Sequence, residues 1–245
     1  MSAFTIPLYR EINNDPQLFG SGFFVKYENQ YFLISAAHVL EILRQEPLTY
    51  FVTKNERVAL SGQVYVTQWS GDRENDPTDI AVLRFNGDAT PPYPDVNKFS
   101  MDFSYLKSSL LPRSNKHYAM IGYPASKSHI DRPKREVTSD IFAYAASSIP
   151  DDDYKTHGYA IETHLILPLD LKIGYDANGT HRNFPKPQGM SGSPIWVHFD
   201  EDKSFSDERV FPVVAIGTKY LNGIGIIATD ISFAIDLIKK ASNSQ

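Results

Sequence analysis

The amino-acid sequence predicts an all-β chain closed by one short α-helix. Aromatic residues make up 13% of its 245 residues, alongside 14 glycines and 16 prolines, a mix that suits many short strands and tight turns. Near the end, Ile231, Ala234, Ile235 and Ile238 recur at helical spacing, with Leu237 beside the stripe and lysines after it. At 42% hydrophobic and 22% charged residues, the chain is ordinary for a soluble globular protein of one domain or two small ones. The net charge of −5 and the lack of a long basic run argue against a nucleic-acid surface. There is no cysteine, so no disulfide holds the fold and no thiol does chemistry.

Residues 4–8 read as a strand before the polar turn Asn13-Asn14-Asp15-Pro16. Gly20-Ser21-Gly22 leads into a second strand, and residues 31–35 return it through the hairpin loop Glu28-Asn29-Gln30. No strand-then-helix context with a lysine surrounds these glycines, so they make a poor phosphate cradle. Beyond His38, the spacing of Val39, Leu40, Ile42 and Leu43 predicts a short helix that Pro47 ends. Strands follow at 49–53, 58–60 and 64–69, then a polar loop over 70–77 leads to Asp79 and the apolar run Ile80-Ala81-Val82-Leu83.

Residues 87–114 are rich in proline, aspartate and serine and read as a connector, with Phe99, Met101, Phe103 and Leu106 packed beneath it. A strand at 116–121 ends in the turn Gly122-Tyr123-Pro124. Within 125–180, Lys127, Lys134, Arg135 and the run Asp151-Asp152-Asp153 read as solvated loop faces, with strands at 141–145, 160–165 and 169–173. Strands at 195–199 and 211–217 flank a charged loop at 200–208, and glycine-interrupted apolar residues follow over 221–228.

The chemistry is carried by Gln188-Gly189-Met190-Ser191-Gly192-Ser193-Pro194, a glycine turn that presents a serine and runs into a strand. Such a turn aims a hydroxyl outward and leaves the N–H groups of Gly189 and Ser191 unpaired, as an oxyanion hole requires. A serine hydroxyl needs an adjacent base and a third group to orient that base. Ser35-Ala36-Ala37-His38 supplies an imidazole at the end of an apolar strand, and Asp79-Ile80-Ala81-Val82-Leu83 supplies a carboxylate at the start of another. With these motifs in the order His, Asp, Ser, the chain resembles the trypsin-like (chymotrypsin-fold) serine proteases, closest to their bacterial HtrA-like branch.

That resemblance covers roughly residues 18–242 and implies two six-stranded antiparallel β-barrels with a closing helix, over 1–110 and 111–245. It implies a catalytic triad of His38, Asp79 and Ser191, with Gly189 and Ser191 forming the oxyanion hole and a polypeptide as substrate. Asp76 is a rival for the carboxylate position, but Pro77 follows it and it lies farther from the strand. By the same resemblance Ala215, Ile216 and Gly217 bind the extended substrate, Gly217 and Gly225 line the specificity pocket, and Pro185 falls at its base. With no acidic residue there, the expected preference is for apolar or small uncharged side chains. Ala215 stands where relatives often carry a hydroxyl that holds the aspartate.

No cofactor is implied. His157 and His164 lack a metalloprotease helix motif, and the aspartate run lacks a calcium-loop pattern. The first ten residues show no secretory signal, and no apolar run reaches bilayer length, so cytoplasm is the expected location with no membrane partner. Asn178-Gly179-Thr180 is then a turn rather than a glycosylation site, and no PDZ-like module follows the protease-like region. The alternative function is a latent or inactive trypsin-fold binding module that waits for an activating protein partner. An α/β-hydrolase esterase would need glycine in place of Ser193 and an acid and then a histidine downstream; only His198 follows Ser191, too closely.

Overall fold

Turn residues divide the first half into strands that curl into an antiparallel sheet. In a computed structural model, which describes residues 4–51, 53–86, 99–172, 174–175, 180–199 and 211–244, β1 (Thr5–Ile12) meets β2 (Asp15–Tyr27) through Asn13 and Asn14. Both asparagines are left-handed, at φ 53° and 65°, the conformation a tight hairpin needs and asparagine tolerates. Glu28, at φ 55°, turns β2 into β3 (Gln30–Ala36). With β4 (Leu48–Phe51), β5 (Arg57–Ala59), β6 (Gly62–Val66) and β7 (Ile80–Phe85), the sheet order is β5-β4-β1-β2-β3-β7-β6. Seven strands follow this path where six were expected, because a short edge strand, β5, pairs with β4. The two-residue β8 (Met101–Asp102) joins β2 in parallel off the path.

The second half contains β9 (Lys116–Gly122), β10 (Ser128–Asp131), β11 (Glu136–Ser139), β12 (Phe142–Ala146), β13 (His164–Leu167), β14 (Gly174–Tyr175), β15 (His181–Arg182), β16 (Pro194–Phe199), β17 (Val213–Leu221) and β18 (Gly225–Asp230). Six of them form the path β13-β18-β17-β16-β9-β12, extended by the β14–β15 hairpin. This is the chymotrypsin-like arrangement of two curled antiparallel half-barrels.

Three α-helices are among the described elements: α1 (Ala37–Leu40), α2 (Asp151–Thr156) and α3 (Ser232–Ser242). The apolar stripe of α3 packs Ala234, Ile238 and Ala241, all fully buried, in the same cluster as Ile80 and Val82 of β7. Burying a side chain the size of Ile238 contributes about 1.5–3 kcal/mol. Arg84 of β7 donates to the carbonyls of Ala241 (2.5 Å) and Ser244 (2.6 Å), so the first sheet caps the carbonyl end of the closing helix. The same cluster joins Phe23 and Val25 of β2 to Trp196, Val213 and Ile216 of the second sheet, making it the seam between the halves. Each half also has its own core, around Phe24 and Leu33 in the first and Tyr118 and Val197 in the second.

Residues 125–180 differ most from expectation. Lys134 and Arg135 are exposed, as a solvated loop face requires, in the turn of a separate β10–β11 hairpin. The aspartate run is the first turn of α2, where carboxylates offset the positive helix end, and Asp151 pairs with Arg113 at 2.8 Å. β13 starts only at His164, because Thr163 and His164 both donate to the Ala160 carbonyl in a turn, and residues 169–172 form no strand. Met101 and Leu106 are buried and Phe103 packs on the seam, as the connector reading required. Most of the proline-rich part of that connector, the charged loop at 200–208 and residues 178–179 lie outside the described residues. No helix among the described residues is long and apolar enough to cross a membrane.

Candidate active site

His38 sits in the single turn α1, directly after β3 carries the chain to the seam. Asp79 precedes β7, which pairs with β3 in the register Ala36↔Ile80, so the sheet itself brings residues 38 and 79 together. The Asp79 carboxylate accepts from His38 Nδ1 at 2.6 Å and from the His38 backbone N–H at 2.9 Å, while its carbonyl accepts from Ala37 N–H at 2.9 Å. The carboxylate is 5% exposed and the imidazole 35%. A carboxylate only accepts, so this contact fixes the tautomer with hydrogen on Nδ1 and a lone pair on Nε2. His38 Nε2 has no hydrogen-bond partner among the described residues.

Reaching this position puts Asp79 in the left-handed region at φ 46°, a cost of about 1–2 kcal/mol that its surroundings must offset. Asp76 does part of this. Its Oδ1 accepts from the Thr78 N–H and hydroxyl, each at 2.9 Å, forming a side-chain-closed turn just before Asp79. Contacts from the second sheet do the rest: Thr229 Oγ1 donates to the Thr78 carbonyl at 2.8 Å, and His164 Nε2 to the Pro77 carbonyl at 2.8 Å. His164 thus grips the aspartate loop, and its Nδ1 lies 2.9 Å from Thr163 Oγ1. Among the described residues no three of His, Asp and Glu are grouped to hold a metal ion.

Asp76 does not reach His38. Its buried carboxylate pairs with Arg73, which also binds Glu41 through Nε (2.7 Å) and Nη2 (3.1 Å). Burial works against the Arg73 charge, but the hydrogen bonds from Glu41 and Asp76 prevail and hold its pKa above the usual value. Glu41 lies three residues beyond His38, so Arg73 links the histidine segment to the aspartate loop.

Across the cleft, the serine turn is set by two glycines that nothing else could replace. Gly189 is at φ 90° and Gly192 at φ 91°, and a Cβ would lie 2.4 Å from Leu18 in the first case and 2.0 Å from the Ser21 carbonyl in the second. Met190 N–H donates to the Pro187 carbonyl at 2.9 Å, closing a turn whose third residue has positive φ, which is type II. The Gln188 carbonyl accepts from Ala125 N–H at 2.7 Å. In a trans peptide the N–H points opposite to the carbonyl, so Gly189 N–H faces away from Ala125. Neither Gly189 N–H nor Ser191 N–H makes a hydrogen bond among the described residues.

Ser191 Oγ donates to the Thr218 carbonyl at 3.3 Å and makes no hydrogen bond to His38. Both side chains line one cleft of 540 Å³, with Asp79 behind the imidazole. Of the residues expected to bind substrate, Gly217 lines this cleft, and its carbonyl accepts from Gly192 N–H at 2.7 Å. Ala215 and Ile216 do not: both are fully buried in β17, and the cleft wall lies farther along, at Thr218, Lys219 and Tyr220. Gly225 is also displaced from the wall, packed so that a Cβ would meet the Leu167 carbonyl at 2.0 Å, and Ile226 takes its place. Pro187 and Gln188, rather than Pro185, border the cleft. Three residues beyond Ala215, the Thr218 hydroxyl donates to the Ile227 carbonyl at 3.3 Å. β17 runs on to Leu221, and its pairing with β18 is irregular between Gly217 and Lys219.

No protein-family model matches the chain, and no curated protein matches it in sequence. Solved structures do match in fold. A thermostable serine protease from an extremophilic microorganism superposes with a TM-score of 0.56 at 13% identity, covering 100% of this chain and 99% of its own. The protease Anisep from Arthrobacter nicotinovorans gives 0.57 at 13% identity, covering 99% and 96%. The fold is that of trypsin-like serine proteases. A scabies mite inactivated protease paralogue also shares it, with a TM-score of 0.51 at 13% identity over 99% of this chain and 96% of its own. Sharing this fold is therefore not sufficient for activity, and the HtrA-like branch has no sequence match behind it.

Proposed function

We propose that the protein is a serine endopeptidase that cleaves peptide bonds through an acyl-enzyme. The observation that carries this reading is an imidazole tied through Nδ1 to a buried carboxylate, 2.6 Å away, in the same cleft as a serine flanked by positive-φ glycines. Ser191 Oγ attacks the scissile carbonyl carbon as His38 Nε2 takes its proton. The oxyanion settles on the N–H groups of Gly189 and Ser191, each such donor contributing roughly 3 kcal/mol in comparable sites. The C–N bond then breaks as His38 returns the proton to the leaving amine, and water hydrolyses the ester by the same route. For this, Ser191 Oγ leaves the Thr218 carbonyl and turns to His38. Only an imidazole with a free lone pair on Nε2 can act as this base.

Met120, Met190 and Ile226 give the cleft apolar walls, and its only carboxylate, Asp79, is taken up by His38 among the described residues. A lysine or arginine side chain entering there would lose water without gaining a counter-charge, so the favoured residue before the cleaved bond is apolar and uncharged. The cysteine-free chain suits a reducing compartment, and action in the cytoplasm is part of this proposal.

The second reading is a binding module that shares the fold without turnover; the scabies mite paralogue with this fold is an inactivated protease. The unpaired N–H groups of a type II turn favour the first. A fluorophosphonate probe should label wild-type protein and not Ser191→Ala, with peptide hydrolysis in parallel. Folded wild-type protein that takes no label would sink the peptidase reading, and labelling that survives Ser191→Ala would sink the site.

A further inference from the structure

The segment Tyr123-Pro124-Ala125, which leaves β9, lies directly against the serine turn. A Cβ on Gly189 would fall 2.8 Å from Ala125 N and 2.9 Å from the Tyr123 carbonyl. Ala125 opens a short 3-10 turn over Ala125–Lys127, in which Lys127 N–H donates to the Pro124 carbonyl at 2.9 Å. The first N–H of such a turn has no acceptor inside it and must find one elsewhere. Here it finds the Gln188 carbonyl, at 2.7 Å.

That carbonyl belongs to the peptide joining Gln188 to Gly189, and the N–H of the same peptide is the Gly189 donor of the oxyanion hole. Residues 187–190 have two ways to close the Met190–Pro187 hydrogen bond. One is the type II turn of this structure; the other is a type I turn, in which the 188–189 peptide is rotated by about 180° and Gly189 takes negative φ. Glycine accepts either sign of φ, so its own backbone does not exclude the second. The rotation is confined to this one peptide, because the next is anchored separately: the Gly189 carbonyl accepts from Ser21 Oγ at 2.9 Å. In the rotated form the Gln188 carbonyl enters the cleft, and the Gly189 N–H faces the Ala125 N–H, donor against donor. The oxyanion then loses a donor and meets a carbonyl oxygen in its place. The Ala125 N–H keeps its acceptor only in the type II form, and this separates the two turns.

We propose that Ala125 is a positioning residue whose backbone N–H holds the 188–189 peptide with the Gly189 N–H turned to the oxyanion, an inference that rests on the peptidase reading. The test removes this donor without disturbing its own segment. Pro124 is at φ −70° and ψ 133°, the extended conformation required before a proline, and proline fits the first position of a helical turn. Ala125→Pro therefore deletes the N–H and puts a ring carbon against the Gln188 carbonyl, which has to turn away. Ala125→Gly keeps the N–H and serves as the control. Both are compared with wild type in kcat and KM on a peptide amide, in the Ki of a peptide boronic acid, and in the Gly189 amide resonance of 15N-glycine-labelled protein, a chain with 14 glycines. Losing one oxyanion donor lowers kcat roughly 10²–10³-fold, so Ala125→Pro should fall by that factor. KM should stay nearly constant, boronate binding should weaken in parallel, and the Gly189 resonance should shift, while Ala125→Gly stays near wild type throughout. Wild-type kcat in the proline variant with an unshifted Gly189 resonance would overturn the proposal, as would a loss confined to KM or an equal loss of kcat in Ala125→Gly. If the proline variant does not fold, hydrogen exchange of the Ala125 amide in wild type carries the decision. Boronate in the hole should slow that exchange, because the two contacts favour the same turn, and an unchanged rate would overturn the proposal. Wild-type protein that neither cleaves peptide nor binds boronate would overturn the peptidase reading instead, and the Gly189 resonance of the proline variant alone would then decide the role of Ala125.

Discussion

Replacing Arg73 by methionine tests how the histidine and aspartate segments are held together. Arg73 and Glu41 side chains are each 20% exposed, whereas the Asp76 side chain is fully buried. Removing one partner of a buried ion pair costs about 3–5 kcal/mol, because the other charge is stranded. Here Asp76 keeps the Thr78 N–H and hydroxyl at 2.9 Å and the Thr67 hydroxyl at 3.5 Å, which lowers the expected loss to about 2–3 kcal/mol. Glu41→Gln removes a partly exposed charge without stranding Asp76, whose pairing with Arg73 stays, so it should cost less than about 1 kcal/mol. The decisive comparison is background. In Asp76→Asn there is no buried charge to strand, and adding Arg73→Met should then cost less than about 1 kcal/mol. Urea unfolding of the four proteins of this cycle, with unchanged slopes, measures the difference. A penalty for Arg73→Met that is equal in both backgrounds would refute the stranded-charge account. So would Glu41→Gln proving as costly as Arg73→Met.

Two further outcomes follow from single groups. Burial, with a smaller push from Tyr9, raises the Tyr123 hydroxyl from 10.0 to about 12, so the folded state keeps a proton that the unfolded chain releases; stability is complete below pH 10.0 and falls toward pH 12. Between about pH 9 and about pH 12 this group alone should remove about 2 kcal/mol, and Tyr123→Phe should show a pH dependence smaller by that amount in urea midpoints. Gly189→Ala places a Cβ 2.8 Å from Ala125 N and 2.9 Å from the Tyr123 carbonyl at φ 90°, so the backbone must move and the turn must change. Its kcat/KM, corrected for titrated active sites, should fall by roughly 10²–10³ as a donor leaves the oxyanion, and a loss below tenfold would contradict the assigned hole.

The parts of the site legible in sequence were those set by local chemistry. Gly189 and Gly192 mark a turn no other residue tolerates, and an apolar strand ending in His38 must pair near one beginning at Asp79 to bury both. Asp76 was separable from Asp79 because its neighbours Pro77 and Thr78 make a turn at Asp76 itself. What stayed hidden depended on register. The cleft wall is at Thr218 rather than Ala215, and no apolar pattern separates the two positions, since Val213 to Thr218 are buried throughout. The acidic run at Asp151 looked solvated, and it is; the helix it starts is short enough to lack periodicity. The side-chain turn that Asp76 closes on Thr78 was not read from the sequence, and the guanidinium of Arg73 bridging to Glu41 is a contact across 32 residues that composition does not reveal.

Long-range contacts of this kind explain why the candidate site exists only where the halves meet. Ser21 reaches Gly189 across 168 residues, Thr229 reaches Thr78 across 151, and His164 reaches Pro77 across 87. In each case a side chain of one sheet holds a backbone carbonyl of the other, and the carbonyl belongs to the loop that bears a reactive group or its support. The first barrel alone would carry His38 and Asp79 with a left-handed aspartate turn lacking its outer grip. The second alone would carry Ser191 in a turn whose Gly189 and Ser191 carbonyls had lost the hydrogen bonds from Ser21. Neither sheet needs these bonds to form its own core, because Phe24 and Leu33 fill one and Tyr118 and Val197 the other. The bonds across the seam therefore add little to holding each barrel together and much to fixing where three loops point. That division lets a serine-protease fold persist at 13% identity while the geometry at its seam is decided by a few buried polar side chains.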